Sequence, residues 1–210
     1  SVFRDVQRAS SLPWHKDYTR PKLLKFFLPA RDSHAAAYYD WGSELETEWK
    51  ENYKLWMTFI NEYKNRGGRV TAGADSGYMY NLYGFGYVQE LELLREAGFH
   101  PMEVIRAATL HAAEAIGMED QIGSVETGKL ADLIIMDQNP LKNLKYLYAT
   151  GDIKLENNEV IRVGGVSKTI KDGIIFDAKE LLEDVKKIVD EEKKNTPGWE
   201  KLLFENIQRK

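Results

Sequence analysis

The chain has 210 residues, 43% hydrophobic and 30% charged, a composition that suits a folded protein and excludes a wholly disordered or collagen-like one. Its 29 Lys and Arg against 33 Asp and Glu leave a net charge of −4, with no cationic surplus to displace counterions from nucleic acid. Absent cysteine excludes disulfides, a thiolate zinc site and a cysteine nucleophile, and no apolar run reaches the roughly 18 residues of a membrane-spanning helix.

Residues 1–43 mix Pro13, Pro21 and Pro29 with aromatics in no stable period, which predicts loops and short elements. From Glu44 to Arg66 the residues Trp49, Tyr53, Trp56, Met57, Ile60 and Tyr63 recur at spacings of three or four, the pattern of an amphipathic helix closed by Gly67 and Gly68. Residues 69–74 are β-branched early and small late, and read as a buried strand. An acidic loop of Asp75, Ser76 and Gly77 follows, then a tyrosine-rich stretch to Gly86. Helices are expected over Tyr87–Ala97 and, opened by a first-turn proline, from Pro101 to Ile116. Beyond Ile122 the period shortens. Strands are expected at Asp132–Met136, at Thr169–Lys171 and at Gly173–Phe176, the last two joined by the turn Lys171-Asp172-Gly173. Asp177 is placed to cap a final helix from Ala178 to about Glu192, with Leu181, Leu182, Val185, Ile188 and Val189 as one stripe.

Asp75 leads the candidates for chemistry. A carboxylate just past the C-terminal end of a strand, among small residues, lies where α/β enzymes place reacting groups. The same residue type also caps turns, and the segment alone leaves both roles open. The loop holding Tyr78, Tyr80 and Tyr83 reads equally as a pocket lining or as a lid packed on its own domain. His111 and Glu114 lie three apart on a helix, but the alanines around His111 favour packing over ligation. His100 precedes Pro101 at a helix start and reads as a loop residue. His15 and His34 lack a second histidine at chelating spacing. Gly84-Phe85-Gly86 lacks the third glycine and the preceding strand of a dinucleotide site.

The order of motifs resembles the amidohydrolase superfamily over residues 66–177. Val70–Gly77 (VTAGADSG) resembles that family's eighth-strand segment, usually G-T-D-S or G-S-D. ELELLREAG at 90–98 and PMEVIRAAT at 101–109 resemble the two helices that follow. IGSVETGKLADLIIMD at 122–137, Asn139-Pro140 and IKDG at 170–173 are similar to the return into a small β-sandwich. The subgroup it looks closest to is imidazolonepropionase-like and Xaa-Pro-dipeptidase-like. The resemblance implies an α/β fold: the C-terminal part of a (β/α)8 barrel over 1–123, part of a β-sandwich over 124–176, and a helix and tail over 177–210.

It also implies a metal-dependent hydrolase of amide, peptide or cyclic amide bonds. Asp75 would be both metal ligand and general base, Ser76, Tyr78, Tyr80 and Tyr83 would face the substrate, and the metal would be divalent, with zinc expected. Such a metal activates water, and a nearby carboxylate takes its proton and helps protonate the leaving nitrogen. The family's first-strand H-x-H has no counterpart here, nor do its bridging lysine and mid-barrel histidines. The remaining ligands are therefore expected outside this chain, in a missing N-terminal barrel half or another copy of the chain, and a partial or trimmed chain is expected. The expected partners are a small-molecule or peptide substrate and that missing half, not nucleic acid or membrane. The alternative is a catalytically silent fragment that acts as an assembly or interaction module.

Overall fold

The computed structural model describes residues 6–33, 35 and 38–203. Its mixed α/β elements fall into two compact units, one holding Ser1–Trp56, Asp75–Tyr83 and Leu182–Lys210, the other Met57–Ala74 and Gly84–Leu181.

The first unit begins with three short helices, α1 (Val6–Ser10), α2 (Trp14–Tyr18) and α3 (Pro21–Phe27), broken as the prolines predict. Its core gathers Ala9, Phe27, Ala35, Tyr38, Met79 and Tyr80. His15 is buried in this unit, with one ring nitrogen 2.9 Å from the Ala9 carbonyl and the other 3.0 Å from the Thr19 hydroxyl. A carbonyl only accepts, so Nε2 carries the proton and Nδ1 accepts from Thr19. Burial lowers the imidazole pKa from 6.5 to about 4, against the smaller opposing pull of the Ala9 carbonyl.

The long helix α4 (Ser43–Asn65) matches the expected span within a residue at each end. None of its residues is fully buried, and Leu55, Trp56, Phe59 and Tyr63 all stand exposed. The expected aromatic stripe is therefore only half covered.

In the second unit, α5 (Gly86–Glu96) and α6 (Pro101–Ala108) carry the best-packed core: Leu91, Leu94, Ala97, Phe99, Val104, Ala107 and Leu144. The single helix expected from Pro101 to Ile116 is in fact two. It breaks at Thr109 (φ −127°, ψ −88°), and α7 (Leu110–Ala115) follows. His100 caps α6, its backbone N–H donating to Glu103 Oε2 at 2.7 Å, while the same carboxylate receives Lys64 Nζ at 2.8 Å. That lysine contact, then the backbone bond, holds the Glu103 carboxyl below its ordinary range.

Among the described residues five strands follow: β1 (Leu133–Met136), β2 (Asp152–Glu156), β3 (Glu159–Val163), β4 (Val166–Lys171) and β5 (Ile174–Asp177). Antiparallel β1-β4-β5 make one sheet, with a register slip between Ile135 and Met136, and β2-β3 make a separate hairpin. The sequence reading missed that hairpin. Its signal is Asn157-Asn158, both left-handed (φ 52° and 64°), the two-residue turn that matches strand twist. In these strands only Val166 is fully buried, and Ile153, Leu155, Val160, Ile174 and Ile175 are largely exposed. Asp177 caps α8 (Ala178–Lys194) as expected, its Oδ1 accepting from the N–H groups of Lys179 at 2.9 Å and Glu180 at 3.2 Å.

Residues 69–74 depart from the expected strand. Val70, Ala72 and Ala74 are half-buried and alternate with exposed Arg69, Thr71 and Gly73, the period-two pattern of a strand, yet among the described residues no strand pairs with them. Their backbone partner is instead helical: the Ala72 N–H donates to the Ala107 carbonyl at 3.2 Å.

Candidate functional site

Asp75–Tyr83 form a tight loop within the first unit. The Gly77 N–H donates to the Asn81 carbonyl at 2.7 Å, and the Asn81 N–H returns a bond to the Tyr78 carbonyl at 2.9 Å. Asp75 adopts a left-handed conformation (φ 46°), which short acidic side chains tolerate better than most. Tyr80 is also left-handed (φ 56°), a placement costly for a bulky residue. Burial offsets that cost. The Tyr80 ring is 1% exposed, 5.3 Å from Phe27 and 5.6 Å edge-on from His15. Gly77 needs its missing side chain twice over: its φ is 102°, and a Cβ there would lie 2.7 Å from the Tyr83 hydroxyl.

The loop is thus pinned through its middle and exposed at its ends. Met79 and Tyr80 anchor it in the core, and burial pushes the Tyr80 phenol well above its ordinary range, so it stays protonated. Asp75 and Tyr83 stand exposed, and Ser76 and Tyr78 are half-buried. Chemically, the arrangement presents a carboxylate, a hydroxyl and two phenols, and keeps the Tyr80 ring for packing.

The other titratable candidates sit elsewhere. Both ring nitrogens of His15 are engaged. His111, in the second unit, lies 3.3 Å through Nδ1 from the Val70 carbonyl, and Glu114 pairs with Arg69 at 3.0 Å. His34 lies outside the described residues. Glu90 on α5 escaped notice in the sequence, where it looks like any surface position of an amphipathic helix; burial raises its carboxyl pKa.

A catalytic zinc takes about three protein ligands. Among the described residues no group of three or more His, Asp and Glu is placed to hold a metal ion. These residues alone do not fit a resident metal; Asp75 is at most one ligand of it.

The sequence pattern of the amidohydrolase family matches residues 56–175. An imidazolonepropionase from Shouchella clausii is 41% identical over 68 residues, covering 31% of this chain and 15% of that protein. A 5'-deoxyadenosine deaminase from Methanobrevibacter smithii is 30% identical over 115 residues, covering 50% of this chain and 25% of its own length. Among solved structures, a prolidase-like protein from Bifidobacterium longum matches with a TM-score of 0.51 and 25% identity, over 78% of this chain and 37% of that one. The chain thus spans a quarter or less of these curated relatives. Among the described residues no helix is long and apolar enough to cross a membrane.

Proposed function

The chain belongs to the amidohydrolase family, and from that premise we propose that it is the C-terminal portion of a metal-dependent hydrolase acting on carbon–nitrogen bonds. The observation that carries the reading is Asp75, an exposed left-handed carboxylate inside the family's matched span, directly after an extended segment. In this reading residues 1–123 contribute the end of a (β/α)8 barrel, 124–176 part of a β-sandwich, and 177–210 a helix and tail. Asp75 serves as one ligand of a divalent metal, zinc being the proposed ion, and as the base that moves a proton during hydrolysis. Ser76, Tyr78 and Tyr83 face a small-molecule or peptide substrate. Tyr80 supports that surface from beneath.

The remaining ligands are supplied from outside residues 1–210, by a preceding barrel segment or a second copy of the chain. The exposed apolar residues of α4 and of β2, β3 and β5 fit a chain that meets further protein there. The same faces favour a second reading, a silent assembly module. Expression of the complete gene separates the two. A product much longer than 210 residues, with bound metal and amide hydrolysis that falls about a hundredfold or more in Asp75→Asn, supports the enzyme. A metal-free product of this length with no hydrolysis supports the module.

A further inference from the structure

The last four carbonyls of an α-helix lack partners within it. In α6 all four are taken. Ile105 accepts from the Thr109 hydroxyl at 2.7 Å, Arg106 from the Thr109 N–H at 3.3 Å, Ala107 from the Ala72 N–H at 3.2 Å, and Ala108 from the Tyr87 hydroxyl at 3.1 Å. The helix breaks at Thr109, and the extended segment 69–74, through the Ala72 N–H, supplies one of the donors that close α6.

Two side chains of α7 hold the same segment. The Val70 carbonyl lies 3.3 Å from His111 Nδ1, and because a carbonyl only accepts, Nδ1 carries the proton. Arg69 pairs with Glu114 at 3.0 Å, but the arginine side chain is 71% exposed, so water and salt leave this pair little weight. Val70 and Ala72 are half-buried against the second unit's core, and bonds shielded there matter more. We infer that His111 is a positioning residue: with the Ala72–Ala107 bond it ties residues 69–74 to α6 and α7, and fixes the course of the backbone up to Ala74, the residue before Asp75. The contact stands by itself; its value for catalysis rests on the proposed role of Asp75.

Three variants of the chain test this, with amide hydrogen exchange at Ala72 and urea unfolding as readouts. His111→Ala is expected to speed Ala72 exchange about three- to tenfold, the weight of one shielded hydrogen bond, with the unfolding midpoint little changed. His111→Asn, whose amide reaches as far as Nδ1, should restore exchange to within about twofold, whereas His111→Gln, which reaches too far, should not. Unchanged exchange in His111→Ala overturns the inference. So does equal loss of midpoint in all three variants, which would mark a packing role. Adding Mn2+ and following broadening of the Asp75 resonances separates this from the metal reading. Broadening that weakens in His111→Ala and returns in His111→Asn supports positioning of the acid. The expected exchange pattern without any Asp75 broadening supports the positioning of 69–74 alone, because a single carboxylate without the outside ligands holds a metal weakly.

Discussion

The layer of α5 and α6 and the strands that follow it differ sharply in how they meet solvent. In the helices the apolar residues reach a shared core: Leu91, Leu94, Phe99 and Val104 are each at most 4% exposed. In β5, three consecutive apolar residues, Ile174, Ile175 and Phe176, stand exposed on both faces of the strand. Hydrogen bonding does not explain the contrast, because β4 and β5 are fully registered from Lys168–Asp177 to Lys171–Ile174. The ladder satisfies the backbone, but a sheet needs a second layer to bury its faces, and helices α5 and α6 supply one only to each other and to the segments beside them. The helical layer covers its own apolar faces; the strands carry an apolar surface without a complement among the described residues.

The comparison breaks first at Phe99. Phe99→Ala removes a ring that is 1% exposed and lies under Lys64 Nζ, 5.0 Å from its centroid, and should cost about 3–5 kcal/mol in urea unfolding. A cost near zero would mean the helical layer is no more a core than the sheet.

Next is His15, which extends the comparison to the first unit. Its folded pKa of about 4 lies below the ordinary 6.5, so the unfolded chain takes the proton first as pH falls. Stability from this group is complete above pH 6.5 and is lost between about 6.5 and 4, by up to about 3 kcal/mol. His15→Phe should flatten that window while lowering stability at pH 7, since the Ala9 carbonyl and Thr19 hydroxyl lose their partner. A wild-type stability that is level from pH 7 to 4 would show His15 to be solvated.

The smallest effect is expected on the sheet. Ile175→Lys, at a site 61% exposed, should change stability by less than about 0.5 kcal/mol and reduce binding of an apolar dye. A larger loss that depends on protein concentration would show that another copy covers this face.

The sequence foresaw elements whose signal is local. The period of α4, the proline at the start of α6, the turn at Asp172-Gly173 and the Asp177 cap all act within a few residues, so a linear reading finds them. Asn157-Asn158 carry an equally local signal, but the flanking strands are short and charged and hide the alternation that would mark a hairpin. The break at Thr109 is only partly local: the Thr109 hydroxyl and N–H take the Ile105 and Arg106 carbonyls, while the Ala107 carbonyl goes to Ala72, distant in sequence.

For the candidate site, the residue types Asp75, Ser76, Tyr78, Tyr80 and Tyr83 were legible from the sequence, along with the small residues around them. Their division of labour was not. Three tyrosines in six residues read alike, and only packing puts Tyr80 in the core beside Phe27 and His15 while leaving Tyr83 at the surface. His15 shows the same limit: its partners Ala9 and Thr19 lie within six residues, but the Tyr80 ring that packs edge-on against it is brought there by the fold.

By itself, then, the sequence determined the spans of α4, α5 and α8, the hairpin turn of β4 and β5, and the amidohydrolase family. Those follow from periodicity, backbone preference and motif order, which are properties of neighbouring residues. Only the tertiary structure decided which tyrosine is buried, why the helix after Pro101 stops at Thr109, and that His111 and Ala107 hold the segment before Asp75. Those outcomes depend on competition between distant groups for the same buried space and the same hydrogen-bond acceptors.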